Sequence, residues 1–134
     1  MRIISTLGMT LVLLLATSAG SYADKKAPLP AGVKVQKTAA GEVLADSKGM
    51  TLYTFDKDTM PGKSTCNGPC AQNWPALAAS ADAKPAGEWT VLTRDDGAKQ
   101  WAYKGKPLYT FAKDSKPGDT TGEGFNKVWH VAKP

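Results

Sequence analysis

Two cysteines, a lone histidine and a repeated aspartate are the residues whose types and spacing could do chemistry in this 134-residue chain. Cys66 and Cys70 enclose Asn67-Gly68-Pro69, a turn sequence. A tight loop or helical turn brings Cα atoms four residues apart to about 6 Å, inside the range a disulfide spans. In an exported chain the expected fate of such a pair is a structural disulfide that stiffens its own loop. The competing chemistry is soft-metal binding or thiol exchange. Cys66, Cys70, Met60 and His130 together offer the thiolate, thioether and imidazole groups that suit Cu(I). Other chemistries are excluded by the spacing. C-x-x-x-C is not the C-x-x-C of disulfide oxidoreductases, no His follows Cys70 as haem attachment requires, and two Cys with one His fall short of four zinc ligands. His130 lies in Val128-Trp129-His130-Val131, an alternating pattern that puts Trp129 on the opposite face and predicts a solvent-facing or hydrogen-bonded histidine.

The aspartates belong to a motif that occurs twice, L-Y-T-F-x-K-D-x-x-P-G. Tyr53, Phe55 and Asp58 in the first copy become Tyr109, Phe111 and Asp114 in the second. Each Asp falls just past a strand end, where its carboxylate can accept hydrogen bonds from loop N–H groups. That makes it a latch between strand and loop; the alternative is an Asp that contacts a ligand or a cation. Enzymatic patterns fail on inspection. Gly62-Lys63-Ser64 looks like the end of a phosphate loop, but Lys57 stands where its first Gly is needed. Asp56 and Asp58 could pair as glycosidase carboxylates, yet Ala112 replaces Asp56 in the second copy. No Gly-x-Ser-x-Gly elbow is present, and a calcium loop fails at Met60 and Pro61. The expectation is a non-enzyme with no cofactor.

The elements that would position these residues are also duplicated. At an offset of 56 residues, at least ten positions are identical, including Gly41 with Gly97, Gly49 with Gly105 and Pro61-Gly62 with Pro117-Gly118. Beyond the Pro-Gly pair the copies slip by one, and Trp74 then matches Trp129. Residues 33–77 form the first repeat, 78–88 a small-residue connector and 89–132 the second repeat. Each repeat reads as a hairpin followed by a third strand, over Thr51–Phe55 and over Pro107–Phe111. At most one short helical turn is expected, near Ala71–Trp74. Three strands alone are marginal, so the repeats are expected to pack about a pseudo-twofold axis. The predicted fold is all-β, a small sandwich or barrel of six to eight strands. Ten aromatic residues follow position 23, against twelve Leu and Val, so the shared core must be largely aromatic.

Residues 1–23 have the order of a secretory signal, with Arg2, an apolar run over Leu7–Ala16 and Ser21-Tyr22-Ala23 at the cut. Residues 24–32, with two prolines and a glycine, read as a flexible arm. Removing Arg2 lowers the formal charge from +5 to +4. The lysines are dispersed among acids, and Arg94 is the sole arginine after position 23, which argues against nucleic acid. Export argues against chemistry that needs ATP, GTP or NAD.

On these residues the chain resembles a family of secreted repeats of unknown function, the predicted lipoproteins with a Y-x-[FWY]-x-x-D motif. Tyr53-x-Phe55-x-x-Asp58 and Tyr109-x-Phe111-x-x-Asp114 carry the resemblance, as do Cys66-Asn67-Gly68-Pro69-Cys70-Ala71 and Trp74-Pro75. It covers nearly all of residues 33–132 and implies an exported, non-enzymatic tandem-repeat domain. No lipobox Cys is present, which favours a soluble periplasmic or secreted protein without stable membrane insertion. The expected role is binding of an unknown envelope component by the loops 56–75 and 112–128, since loops on a rigid scaffold commonly carry recognition.

Overall fold

A computed structural model describes residues 29–134. The expected signal segment 1–23 and the first part of the arm lie outside the described residues. The remaining chain forms seven strands and two short helical turns. Strand β1 (Val33–Thr38) pairs with β2 (Gly41–Asp46) in an antiparallel hairpin, with Val33 opposite Asp46 and Thr38 opposite Gly41. Gly41 opens β2 at φ 92°, a left-handed conformation that glycine adopts without a Cβ clash. Strand β3 (Tyr53–Phe55) follows, then the single-turn helix α1 (Pro69–Asn73). In the second repeat β4 (Trp89–Thr93), β5 (Lys99–Tyr103) and β6 (Lys106–Pro107) form one antiparallel sheet. A 3-10 turn (Phe125–Lys127), a second helical turn where at most one was expected, leads into β7 (Trp129–Val131); its Asn126 is left-handed, so no helical pattern marks it in the sequence.

The strands fall into three small sheets, β1-β2, β3-β7 and β4-β5-β6. The fold is all-β with a strand number in the expected range, and among the described residues the strands show no closed barrel or sandwich; the separate sheets are joined by isolated bridges such as Ala45 with Thr51, Tyr53 with Tyr109 and Ala78 with Gln100. The third strands are also shorter than predicted. The first is reduced to Tyr53–Phe55, and of 107–111 only Pro107 is in a strand. Beyond Pro107 the second repeat turns its hydrogen bonds to residues 73–77 of the first. Leu77 N donates to Leu108 O at 2.9 Å, Thr110 N to Pro75 O at 2.8 Å and Ala112 N to Asn73 O at 2.8 Å. Pro75 has no N–H to complete this ladder. The equivalent position in the other repeat is His130, and there a regular strand, β7, forms against β3.

The last segment of each repeat thus pairs with the other repeat. Ala132 N donates to Leu52 O at 2.8 Å and Asp56 N to Val128 O at 2.7 Å, mirroring the contacts of Leu77 and Ala112. Both hydrophobic clusters draw on the two copies. One holds Tyr53, Trp74, Tyr109, Phe111 and Trp129; the other holds Leu44, Leu52, Trp89, Trp101 and Leu108.

Candidate functional site

At the centre, Tyr53 and Tyr109 face each other across the repeats. Tyr53 N donates to Tyr109 O at 2.7 Å, and Tyr109 N returns a bond to Tyr53 O at 3.0 Å. Each phenol then reaches the motif aspartate of the other copy. Tyr53 Oη donates to Asp114 Oδ2 at 2.6 Å, and Tyr109 Oη donates to Asp58 Oδ2. Burial, and then the neighbouring aspartate, push both phenols well above the ordinary tyrosine range, so they stay protonated and act as donors. The other carboxylate oxygen ties down a loop. Asp58 Oδ1 accepts from Thr65 N and Thr65 Oγ1, both at 2.7 Å. Asp114 Oδ1 accepts from Thr121 N at 3.0 Å and from the Thr121 hydroxyl. The offset of 56 therefore persists as far as Thr65 and Thr121, and the one-residue slip enters only in the cysteine loop.

Behind Tyr109 lies a buried polar chain that the motif did not reveal. Since Tyr109 gives its proton to Asp58, Ser64 Oγ, 2.6 Å away, must donate to the phenol oxygen. Ser64 Oγ in turn accepts from Arg94 Nη1 at 2.9 Å. The Arg94 guanidinium, 7% exposed, also donates to Gln100 Oε1 at 2.7 Å, Asn67 Oδ1 at 3.1 Å and Cys66 O. No ion pair to Arg94 forms among the described residues; neutral acceptors satisfy it, and its charge meets Asp58 only through two hydroxyls. On the other side, Gly122 N donates to Tyr53 Oη at 3.2 Å, in place of Ser64.

Over the tyrosines the aromatic rings form a stack. Trp74 and Trp129 lie parallel at 3.7 Å between centroids. Phe111 stacks on Trp74 at 4.0 Å, and Phe55 on Trp129 at 4.2 Å. Tyr53 meets Trp74 edge-on at 5.4 Å, as Tyr109 meets Trp129 at 5.2 Å. Each tryptophan therefore stacks on a phenylalanine of the opposite repeat.

Cys66 and Cys70 are joined in a disulfide with Cα atoms 5.2 Å apart. Cys66 is fully buried, while Cys70 is part-exposed. Met60, 61% exposed, stands out in the loop. His130 lies elsewhere. Its Nε2 is 2.9 Å from Asp56 Oδ2 and its Nδ1 3.3 Å from Glu123 Oε2, so both ring nitrogens face carboxylates. The bond to Asp56 raises its pKa most, burial opposes it, and the bond to Glu123 adds to the rise, so the net shift is upward. Among the described residues, no group of three or more His, Cys, Asp or Glu is arranged to hold a metal ion.

A groove of about 620 Å³ runs between the loops 56–75 and 112–128. Phe55, Trp74 and Trp129 line it, α1 and Cys70 form one wall, and Phe125 with Asn126 forms the other. At the second wall Asn126 and Lys127 both adopt left-handed conformations, at φ 51° and 63°. Such geometry costs roughly 1–2 kcal/mol per residue without glycine. Ala71 and Gln72, their counterparts one repeat earlier, sit in the regular helix α1.

Fold and site together define a two-repeat, all-β module in which each copy completes the other. The chain belongs to a family of secreted repeats of unknown function, whose model matches residues 34–78 and 90–133. No curated protein and no solved structure matches it. Among the described residues, no helix is long and apolar enough to cross a membrane.

Proposed function

We propose that this is a non-enzymatic binding module of the cell envelope whose recognition surface is the groove between the loops 56–75 and 112–128. The observation that carries the reading is the groove itself, with a tryptophan from each repeat at its base. Its volume is in the range of small-molecule sites, about 300–1,000 Å³. The repeated Tyr53, Phe55, Asp58, Tyr109, Phe111 and Asp114 are structural in this reading. Their polar atoms are spent on one another and on the loops, which leaves the loops as the variable part. The reciprocal contacts also support a pseudo-twofold arrangement of repeats 33–77 and 89–132 in one domain; a cleaved signal at 1–23 and the arm 24–32 belong to the proposal on the sequence pattern alone. The Cys66–Cys70 disulfide pins the α1 wall.

A photoreactive side chain at Asn126, on the groove wall, tests this in intact cells. The expected result is an adduct with an envelope component that disappears when Phe55→Glu places a charge in the groove. An equal yield from Lys37 on β1, or no adduct from Asn126, would overturn the assignment.

A further inference from the structure

We propose that the groove takes a flat aromatic ring bearing a negative charge, stacked at the Phe55 end of the aromatic column with its anionic group toward Lys57. This rests on the groove being the recognition surface and adds the chemical class of its ligand. The column has unlike ends. At one end Phe111 is 4% exposed, and Phe125 packs edge-on against it at 5.4 Å. At the other end Phe55 is only partly buried and faces the groove. At the one-residue slip that aligns Trp74 with Trp129, the position equivalent to Phe125 is Cys70. A sulfur tied to Cys66 stands where the other repeat supplies a ring. The first repeat therefore lacks the aromatic that closes the second, and a planar group from outside would complete it. Parallel or edge-on contact with Phe55 and Trp129 favours a ring over an aliphatic group of the same size.

Charge selects the sign. Among the described residues, Lys57 is the one charged residue in the groove lining, and no carboxylate lines it. The aromatic faces would attract a cation, but the Lys57 ammonium opposes one and favours an anion. Asn73 and Asn126 add neutral amides able to donate to a carboxylate or phenolate oxygen. The same chemistry occurs in a free aromatic acid and at an aromatic chain terminus.

Calorimetric titration of the folded, disulfide-bonded protein tests this with 2-naphthoate, 2-naphthylmethylammonium and cyclohexanecarboxylate. Naphthoate is expected to saturate one site, with the other two probes about tenfold weaker or worse. Phe55→Leu is expected to weaken naphthoate about tenfold. Lys57→Gln is expected to weaken it about fivefold at low salt, while Lys113→Gln, its counterpart in the other repeat, changes nothing. Position 57 is exposed, so Lys57→Glu should leave the fold intact and shift preference toward the ammonium probe. N-acetyltryptophan against naphthoate assigns the source: tighter binding of the first indicates a chain terminus, and of the second a free acid. No saturation by either acid, equal binding of the ammonium probe, or no effect of Lys57→Glu would overturn the proposal. If the Asn126 adduct persists in that case, only the ligand class is wrong; if it is also absent, the groove assignment falls with it.

Discussion

Tyr109 and Tyr53 play the same role with different second partners, and their substitution tests how much the crossed Tyr–Asp bonds contribute. Removing one partner of a buried hydrogen bond leaves the other unsatisfied, at a cost of about 1–3 kcal/mol. Tyr109→Phe strips a donor from Asp58 and an acceptor from Ser64, and so disturbs the chain that ends on Arg94. Tyr53→Phe removes the donor to Oδ2 of Asp114, 6% exposed, and the acceptor of the Gly122 N–H. Both variants are expected to lose about 1–3 kcal/mol in urea unfolding. Asp114→Ala is expected to lose more than Asp58→Ala, because Asp58 is the less buried of the two and water can replace part of what is removed. Arg94 sets a sharper test. Its planar fork reaches four different acceptors, which a lysine ammonium with three donors and no fork cannot match. Arg94→Lys is therefore expected to be destabilising although the charge is kept, by about 2 kcal/mol or more. Equal unfolding midpoints for Arg94→Lys and wild type would show that the guanidinium geometry is not used. His130 gives a pH signature. Its folded pKa is raised by Asp56 and Glu123, so the stability it adds is complete below the ordinary histidine value of about 6.5 and is lost as pH rises through the folded value. With its side chain 42% exposed, the contribution is screened to about 0.5 kcal/mol. Unfolding midpoints should fall slightly above neutral pH, and His130→Gln should flatten that slope.

At the scale of elements, the hairpins were legible because their turns carry their own chemistry. Gly41 and the Asp95-Asp96-Gly97 turn mark the ends of strands, although β2 and β5 bury three residues in a row, Val43 to Ala45 and Gln100 to Ala102, because both of their faces are covered. The helical turn allowed near Ala71–Trp74 forms at Pro69–Asn73, where Pro69 opens it from the first turn. What period and propensity could not show was partnership. Thr51–Phe55 and Pro107–Phe111 both read as strands, but their partners lie far along the chain: Tyr53–Phe55 forms a ladder with β7, whereas the second segment bonds residues 73–77, where Pro75 removes one donor from the ladder. Arg94 and Ser64 left a signal that was read for other purposes: a single arginine among lysines, and a Gly-Lys-Ser that resembles a phosphate loop. Neither says that the two meet under Tyr109. The second loop also hides a packing constraint. A Cβ on Gly122 would lie 2.8 Å from Trp74 Cη2 and 2.9 Å from Tyr53 Cε2. Both neighbours are held in the ring stack, so neither can move away. Gly122→Ala is therefore expected to cost about 1–3 kcal/mol through overpacking. Thermal melting checks this, with Gly118→Ala as a comparison in which strain arises from its φ of 89° and not from a neighbour.

For the whole molecule, the exchange of terminal segments decides what can fold. Residues 73–77 lie against the second repeat, and β7 lies against the first. Separating the repeats would leave Tyr53 without Asp114, Trp74 without Phe111 and β3 without its only ladder. Each half would expose about half of a core that was built from both, and a unit of fewer than about 70 residues has little core to spare. The expectation is that fragments 24–88 and 89–134 are each unfolded alone, despite carrying complete copies of the repeat. Mixed at equal concentration, they should recover the fold, because no covalent link is needed for the crossed contacts, only a raised effective concentration. Circular dichroism of the aromatic region reads this directly, since the Trp74–Trp129 stack exists only in the assembled state. Signal absent from each fragment and restored on mixing would establish the repeats as mutually completing. A native aromatic signal from either fragment alone would mean that its hairpin and motif suffice, and that the crossed tyrosines decorate the fold without determining it.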